Sequence, residues 1–391
     1  MRLFILYIIS FIITFSYSAE ISLEQFIEQL IKTNPSLLAT KQQIQAMQDT
    51  LQNSGALQDP SLSFESGQNQ IFKLNQKAKN FERASLERKV ASIDVELAEV
   101  RLRLVQRILT SQAKSIYFNL YALDKIIKLT EEELAVLGQM YVSSLKQYES
   151  NRVSAQDPLN MSIMQTEVAI RLEKLQQERL DLLAEATRLL GGTEVSFSFP
   201  AKLLPTPLKS KLNILQDLAV SQGNFEVLMA VKETEKANYS KVMVSVENLS
   251  DYEFGMNYVA NMSSIELMAG ISLPLWVNKN ATNVHFQESL SIIASSNLKD
   301  IVQRVKAEVA TIYYKIMSAD RILPLYDLDI IPKSKQARNL AKSAYEAGRL
   351  DFNSWVLAEQ RYITMSVDYY RTLAGRMIDE SELCRLMGTR R

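Results

Sequence analysis

One cysteine and one histidine in 391 residues leave little from which to build a metal centre or a Cys–His nucleophile, and no intramolecular disulfide can form. Glycine and proline are scarce, at 11 and 9, which favours long uninterrupted elements over a loop-rich fold. No charge of one sign dominates: 44 basic residues stand against 44 acidic ones, so there is no basic surplus to draw nucleic acid. Beyond the first residues, no stretch has the ~20 apolar residues that a membrane-spanning helix needs. A nucleophile elbow, a phosphate loop and a zinc motif are all missing, and the carboxylates sit among basic residues as they do on solvated helix faces. These absences point away from an enzyme and leave no cofactor to expect. Met229, Met243, Met256, Met262 and Met268 share no single spacing, so core or lipid contact fits them better than a soft-metal relay. Cys384, in a helical run near the C-terminus, reads as a small packed side chain.

What is present begins with an export signal. Arg2 supplies the positive end, Leu3 to Phe15 the apolar run, and Ser16-Tyr17-Ser18 the small residues before an expected cut after Ser18. The apolar run is too short for a spanning anchor. The mature chain is therefore expected outside the cytoplasm.

The body of the chain reads as a mainly α protein with a small β portion. Ser22 to about Gln52 reads as one helix with a proline in its first half. Ser61 to Glu65 alternates as a strand, Gly67-Gln68-Asn69 marks a turn, and a second short strand is expected around Ile71 to Leu74. From about Ala84 to Glu149 there is no proline. Leu86, Val90, Ile93, Leu97, Val100 and Leu104 step four-three along a seam, the heptad pattern of paired helices. A return helix follows from Leu159 to Leu190, with Val168, Leu172, Leu175, Leu182, Ala186 and Leu189 in its seam and Arg179 in one seam position. A helix is expected from about Leu212 to Tyr239. Val242 to Val246 then reads as the start of a strand region that continues through Tyr252 to Val259 and Ile265 to Leu273. A long helix begins near Val284, and a last one carries the seam Ile363, Val367, Tyr370, Ala374, Met377, Ser381 and Cys384.

The chain is also written twice. Ile116-Tyr117-Phe118 with Asp124 returns as Ile312-Tyr313-Tyr314 with Asp320. Tyr148-Glu149-Ser150-Asn151-Arg152-Val153 returns as Tyr345-Glu346-Ala347-Gly348-Arg349-Leu350, and Leu189-Leu190-Gly191 as Leu386-Met387-Gly388. Asn34 to Leu38 matches Asn224 to Leu228 near the start of each half. Most of these copies lie almost two hundred residues apart, too long a period for a solenoid, which indicates an internal duplication. The expected division is a signal peptide at 1–18, a first repeat at 19–192, a linker at 193–210 and a second repeat at 211–391.

These segments resemble the outer-membrane efflux protein family, the TolC-like channels. The strongest stretch is Pro332, Ala344-Tyr345-Glu346-Ala347-Gly348, Asp351-Phe352, Ala358 and Gln360-Arg361. A weaker copy lies at Tyr148, Ser154 and Asp157, with Asn34-Pro35, Asp59-Pro60 and Ile271 to Trp276 as further matches. The resemblance runs from about Leu23 to Gly388. It implies a homotrimer whose long antiparallel hairpins form a periplasmic α-barrel and whose strands share one outer-membrane β-barrel. It further implies a passive exit duct for small molecules or metal ions, working with a periplasmic adaptor and an inner-membrane pump, or else the duct of a type I secretion system. Two departures stand out: the chain is short for the family, and the first hairpin, Ser61 to about Lys77, is too short for two full spanning strands. A rival reading is a periplasmic coiled-coil scaffold or adaptor without a complete barrel.

The candidate site is the pair of turns at the helix tips: Tyr148, Glu149, Asn151, Arg152 and Asp157 in the first half, and Tyr345, Glu346, Gly348, Arg349 and Asp351 in the second. The resemblance implies that acids here ring the periplasmic mouth and that Arg152 and Arg349 contact the adaptor or lock the mouth. The residues themselves leave plainer roles open. Arg152 and Arg349 suit solvated tip charge. Asp351 suits a helix cap equally well, and Asp157, before Pro158, suits a cap better. Gly348 and Asn151 suit a left-handed turn. Trp276 suits either a membrane-interface girdle or packing, and Trp355, Tyr362, Tyr369 and Tyr370 suit packing between helices.

Overall fold

The computed structural model describes residues 20–67, 69–151, 153–208, 210–246, 250–272 and 277–388. The expected signal peptide, Arg152 and Trp276 lie outside these described residues.

The first half opens with helices that start on a side-chain cap. Ser22 and Gln25 form a reciprocal capping box ahead of α1 (Leu23–Thr33). The chain does not continue as one helix through Pro35. Asn34 leaves the helical region and caps α2 (Pro35–Asn53), its Oδ1 accepting from the Ser36 and Leu37 amides while its Nδ2 donates to the Leu189 carbonyl. In the second half, α5 (Leu212–Leu218) and a π-helical turn (Ala219–Gly223) lead to Asn224. Its Oδ1 accepts from the Glu226 and Val227 amides at the start of α6 (Phe225–Val246). The two matched asparagines thus both cap the helix that follows them.

Two short hairpins follow. β2 (Ser61–Ser66) pairs with β3 (Gln70–Ala78), and β5 (Tyr252–Val259) with β6 (Ser264–Ile271). β3 also pairs along almost its whole length with β5, giving one antiparallel sheet in the order β2-β3-β5-β6. The first hairpin is therefore longer than its sequence suggested, because β3 runs on past Leu74 to Ala78. β2 remains at six residues. Val242 to Val246 is not strand: it is the last turn of α6, with Val244 and Val246 buried.

The helices dominate the rest. α3 (Phe81–Glu149) has 69 residues, which at 1.5 Å rise makes it ~100 Å long. It turns into α4 (Gln156–Leu189). The second hairpin is α7 (Val277–Leu325), a π-helical turn (Tyr326–Ile330) just after Pro324, α8 (Ile331–Glu346) and α9 (Phe352–Leu386). Pro332 follows this turn directly, and because proline removes one helical hydrogen bond and crowds the turn before it, it is a sufficient cause for the π turn there. The seams behave as heptad positions do. Ile93, Val100, Val168, Leu175, Ala186, Leu189, Ile363 and Ala374 are buried, while Arg179 is exposed. Among the described residues no helix is long and apolar enough to cross a membrane.

The segment between the halves is packed rather than loose. β4 (Ser196–Phe197) pairs in parallel with β1 (Glu20–Ile21), two short strands the sequence had not shown. Phe197 meets Phe26 edge to face at 4.9 Å, and Phe199 lies against Tyr117 and Tyr121. The Tyr117 hydroxyl donates to the Ser198 carbonyl. Arg376, 1% exposed, fastens the far end of this segment. It bonds the Thr206 carbonyl at 2.7 Å, Asp320 of α7 at 2.6 Å and Glu380 at 2.8 Å.

Candidate functional site

The two matched turns lie side by side at one end of the molecule. Asn151 has φ 53° and Gly348 φ 68°, so both hold the left-handed backbone the sequence predicted for them. Between the turns is a polar cleft of ≈ 500 Å³, lined among others by Gln147, Asp157, Asn160, Arg349, Asp351 and Asn353.

The acids in this cleft play different parts. Asp351 caps α9, accepting from the Ser354 amide at 2.9 Å and its hydroxyl at 2.6 Å. These bonds hold its carboxyl below the usual range. Asp157 is not a cap. α4 already begins at Gln156, whose amide is taken by Ser154 Oγ, so Asp157 sits inside the first helical turn and Pro158 at its third position. Asp157 is partly buried, and burial first, then the facing Asp351 charge, pushes its carboxyl up. Glu149, Glu346 and Arg349 are exposed, and no ion pair among the described residues involves them. The structure therefore brings Asp157, Tyr345, Gly348, Arg349 and Asp351 to one cleft and leaves Tyr148, Glu149 and Glu346 on the outer surface.

Matched positions need not match in role. Tyr148 is 45% exposed, whereas Tyr345 is buried, stacked on Trp355 at 6.0 Å and beside Phe352 at 6.3 Å. Leu137 and Met140 of α3 and Met161 and Val168 of α4 complete this cluster, which ties the two hairpins together below the cleft. Among the described residues the Tyr345 hydroxyl has no hydrogen-bond partner. Burial, with the Asp157 charge adding, pushes it up to about 12. Removing an unpartnered buried hydroxyl relieves its desolvation, so Tyr345→Phe is expected to raise stability by about 1 kcal/mol. A thermal melt followed by circular dichroism checks this, and a lower midpoint would mean the hydroxyl has a partner in the assembled protein.

A second cavity of ≈ 780 Å³ lies away from the tips, between α1, α3, α6 and α9. Leu23, Ile27, Ile31, Phe118 and Phe225 supply its apolar wall, and Cys384 lines it. Among the described residues no three His, Cys, Asp or Glu side chains gather as a metal would require.

The sheet has its own pattern. The register places Leu62, Phe64, Phe72, Leu74, Phe254, Met256, Tyr258, Ile265, Leu267 and Ile271 on one face, and all of them are exposed. Ser63, Glu65, Lys73, Asn75, Glu253, Asn257 and Glu266 share the other face, where Lys73 and Glu65 form an ion pair.

No protein-family profile matches the chain, and no curated protein is significantly similar to it in sequence. Solved structures do match. CusC, from a study of folding and transmembrane channel formation, is 15% identical and superposes with a TM-score of 0.82 over 96% of this chain and 94% of its own. The outer membrane protein VceC of Vibrio cholerae is 13% identical, with a TM-score of 0.80 over 94% of this chain and 96% of its own. The CmeC outer membrane channel of Campylobacter jejuni is 13% identical, with a TM-score of 0.76 over 94% and 85%. The chain thus has the TolC-like fold that its motifs resemble.

Proposed function

We propose that the chain is the outer-membrane exit duct of a tripartite efflux assembly, passing small molecules or metal ions passively through its lumen. One observation carries the membrane part: the four strands turn an exposed apolar face one way and a more polar face, where only Ile71, Val259 and Met268 are large and apolar, the other. That alternation is what a lipid-facing barrel wall with a wet interior requires. With no water in a bilayer core, an open sheet edge there is untenable. A sheet of four strands cannot close on itself, since the smallest such barrels have eight. β2 and β6 are its free edges, and they run antiparallel to each other given the alternating order. Three copies joined edge to edge close an all-antiparallel barrel with the helical hairpins below it. The homotrimer, the internal duplication and the contact with outer-membrane lipid belong to this reading.

The tips then lie farthest from the barrel, in the periplasm. There Arg349, Asp351 and the exposed Glu149 and Glu346 are placed to meet an adaptor that links the duct to an inner-membrane pump.

The carrying observation has a direct test. Leu267 is 84% exposed on the apolar face, in mid-strand and opposite Met256. Leu267→Lys is expected to cost ~2–4 kcal/mol if that face meets lipid, and to reduce assembled trimer in outer-membrane fractions. Asn257→Lys, on the polar face, is expected to be tolerated. Purified wild-type protein should run as a trimer and give steady single-channel conductance in a planar bilayer. Equal tolerance of both lysines with no conductance would favour the scaffold reading, to which the long helical hairpins and the six-residue β2 lend support.

A further inference from the structure

Where the two hairpins pack, between the tip cleft and the linker region, there is a group of charges that the duct reading does not use. Glu359 of α9 is 1% exposed, and among the described residues neither of its carboxylate oxygens has a hydrogen-bond partner. Among the described residues the cation paired with it is Arg338 of α8, whose Nη1 lies 3.7 Å away and whose guanidinium is stacked 4.4 Å from the centre of the Tyr362 ring on α9 itself. Lys342, also of α8, acts on it from farther off while donating to Gln139 at 3.2 Å. From α3 it feels the like charge of Glu133, which is 3% exposed and is paired with Arg171 of α4. All four helices therefore contribute, and the two carboxylates come from different hairpins.

We propose that Glu359, set against Glu133, is a proton-controlled latch between the two helical hairpins: protonated it lets them stay packed, and ionised it favours their separation. An ionised carboxylate held dry without hydrogen bonds is strongly disfavoured, and a second carboxylate in the same core adds repulsion. Separating the hairpins rehydrates the group. Burial raises the Glu359 carboxyl first, Arg338 lowers it, and Glu133 raises it again, with a net upward direction. A group raised in the packed state binds its proton more tightly there. Packing is therefore most favoured in acid and loses that support as pH rises through the raised value. Glu133 is raised by burial too, but Arg171 compensates it directly, so Glu359 is the responsive member.

The latch concerns hairpin packing and holds for duct and scaffold alike. Its link to the opening of a periplasmic mouth rests on the duct reading, which the conductance measurement tests separately.

The protein carries its own reporter. It has two tryptophans, and Trp355 is fully buried one helical turn before Glu359, in the cluster that joins the hairpins. A Trp276→Phe background leaves Trp355 alone to be read in the purified full-length protein. Its emission is expected to move to longer wavelength as pH rises, in one step with a midpoint above the ordinary glutamate value of 4.5. Glu359→Gln should remove the step and hold the emission at its acid position. Glu133→Gln should keep the step and lower its midpoint, because the opposing charge is gone. A parent protein with no step overturns the latch. So does a step that survives Glu359→Gln, which would assign the titration to another group, such as Asp157 beside Tyr345.

Discussion

Replacing Trp355 by alanine is expected to lower stability by ~3–5 kcal/mol, the range for emptying a fully buried large aromatic site. The side chain is 0% exposed and touches both Tyr345 and Phe352. Ring pairs of this kind add about 0.5–1.5 kcal/mol beyond the area they bury. The surrounding helices cannot collapse onto the hole without sliding past each other, because the same cluster takes residues from α3, α4, α8 and α9. Trp355→Phe separates size from chemistry. Among the described residues the indole nitrogen has no acceptor, so phenylalanine loses volume but sheds an unpartnered donor, and the net cost should stay at about 1 kcal/mol. Thermal melts of the three proteins give the order wild type, Phe, Ala, with the last far below. If alanine and phenylalanine melt together, the cluster does not hold the hairpins.

The sequence shows this architecture best where the physics is one-dimensional. Heptad spacing names the buried seam because a helix in a bundle has one period and one inward face, and Ile93, Val168 and Ile363 follow it. Left-handed turns were equally plain, since Gly348 and Asn151 need only their own backbones to justify them. The misreadings came where a distant partner decides. β3 looked short because Lys73, Asn75 and Lys77 interrupt its apolar residues. In the sheet those polar side chains simply alternate with the apolar ones, and β5, far along the chain, extends the pairing to Ala78. Val242 to Val246 has strand-like composition, but α6 already runs into it and the interior accepts Val244 and Val246 in helical form. Tertiary packing overrides local propensity there.

The candidate site divides the same way. Repetition located both turns, yet it could not tell that Tyr345 is buried while Tyr148 is not. That difference depends on Trp355, which stacks on Tyr345. Asp157 looked like a cap because Asp-Pro often opens a helix, and the extra turn from Ser154 displaced it. Glu133 and Glu359 carried no signal at all. Glu133 ends a run of three glutamates that reads as a solvated face, yet packing in the folded chain leaves it 3% exposed and paired with Arg171 of α4. Arg376 was silent for a related reason: its partners Asp320 and Thr206 are remote in sequence.

That arginine carries the other large expectation. Arg376→Met keeps much of the volume but leaves Asp320, Glu380 and the Thr206 carbonyl facing an apolar side chain. Removing one partner of a buried ion pair costs ~3–5 kcal/mol. The side chains of Asp320 and Glu380 are about a quarter exposed and can turn partly to water, so the lower end, ~3 kcal/mol, is expected. Lysine should not rescue it. The three contacts need the guanidinium fork, with Nε toward Asp320, Nη1 toward Glu380 and Nη2 toward Thr206, and an ammonium offers no such spread. A double-mutant cycle with Asp320→Asn measures the coupling, which should exceed the ~0.5 kcal/mol within which independent sites add. Additive losses would mean that Arg376 acts by filling space. Strong coupling would mean that a single side chain fixes α7, α9 and the segment around Thr206 to one another.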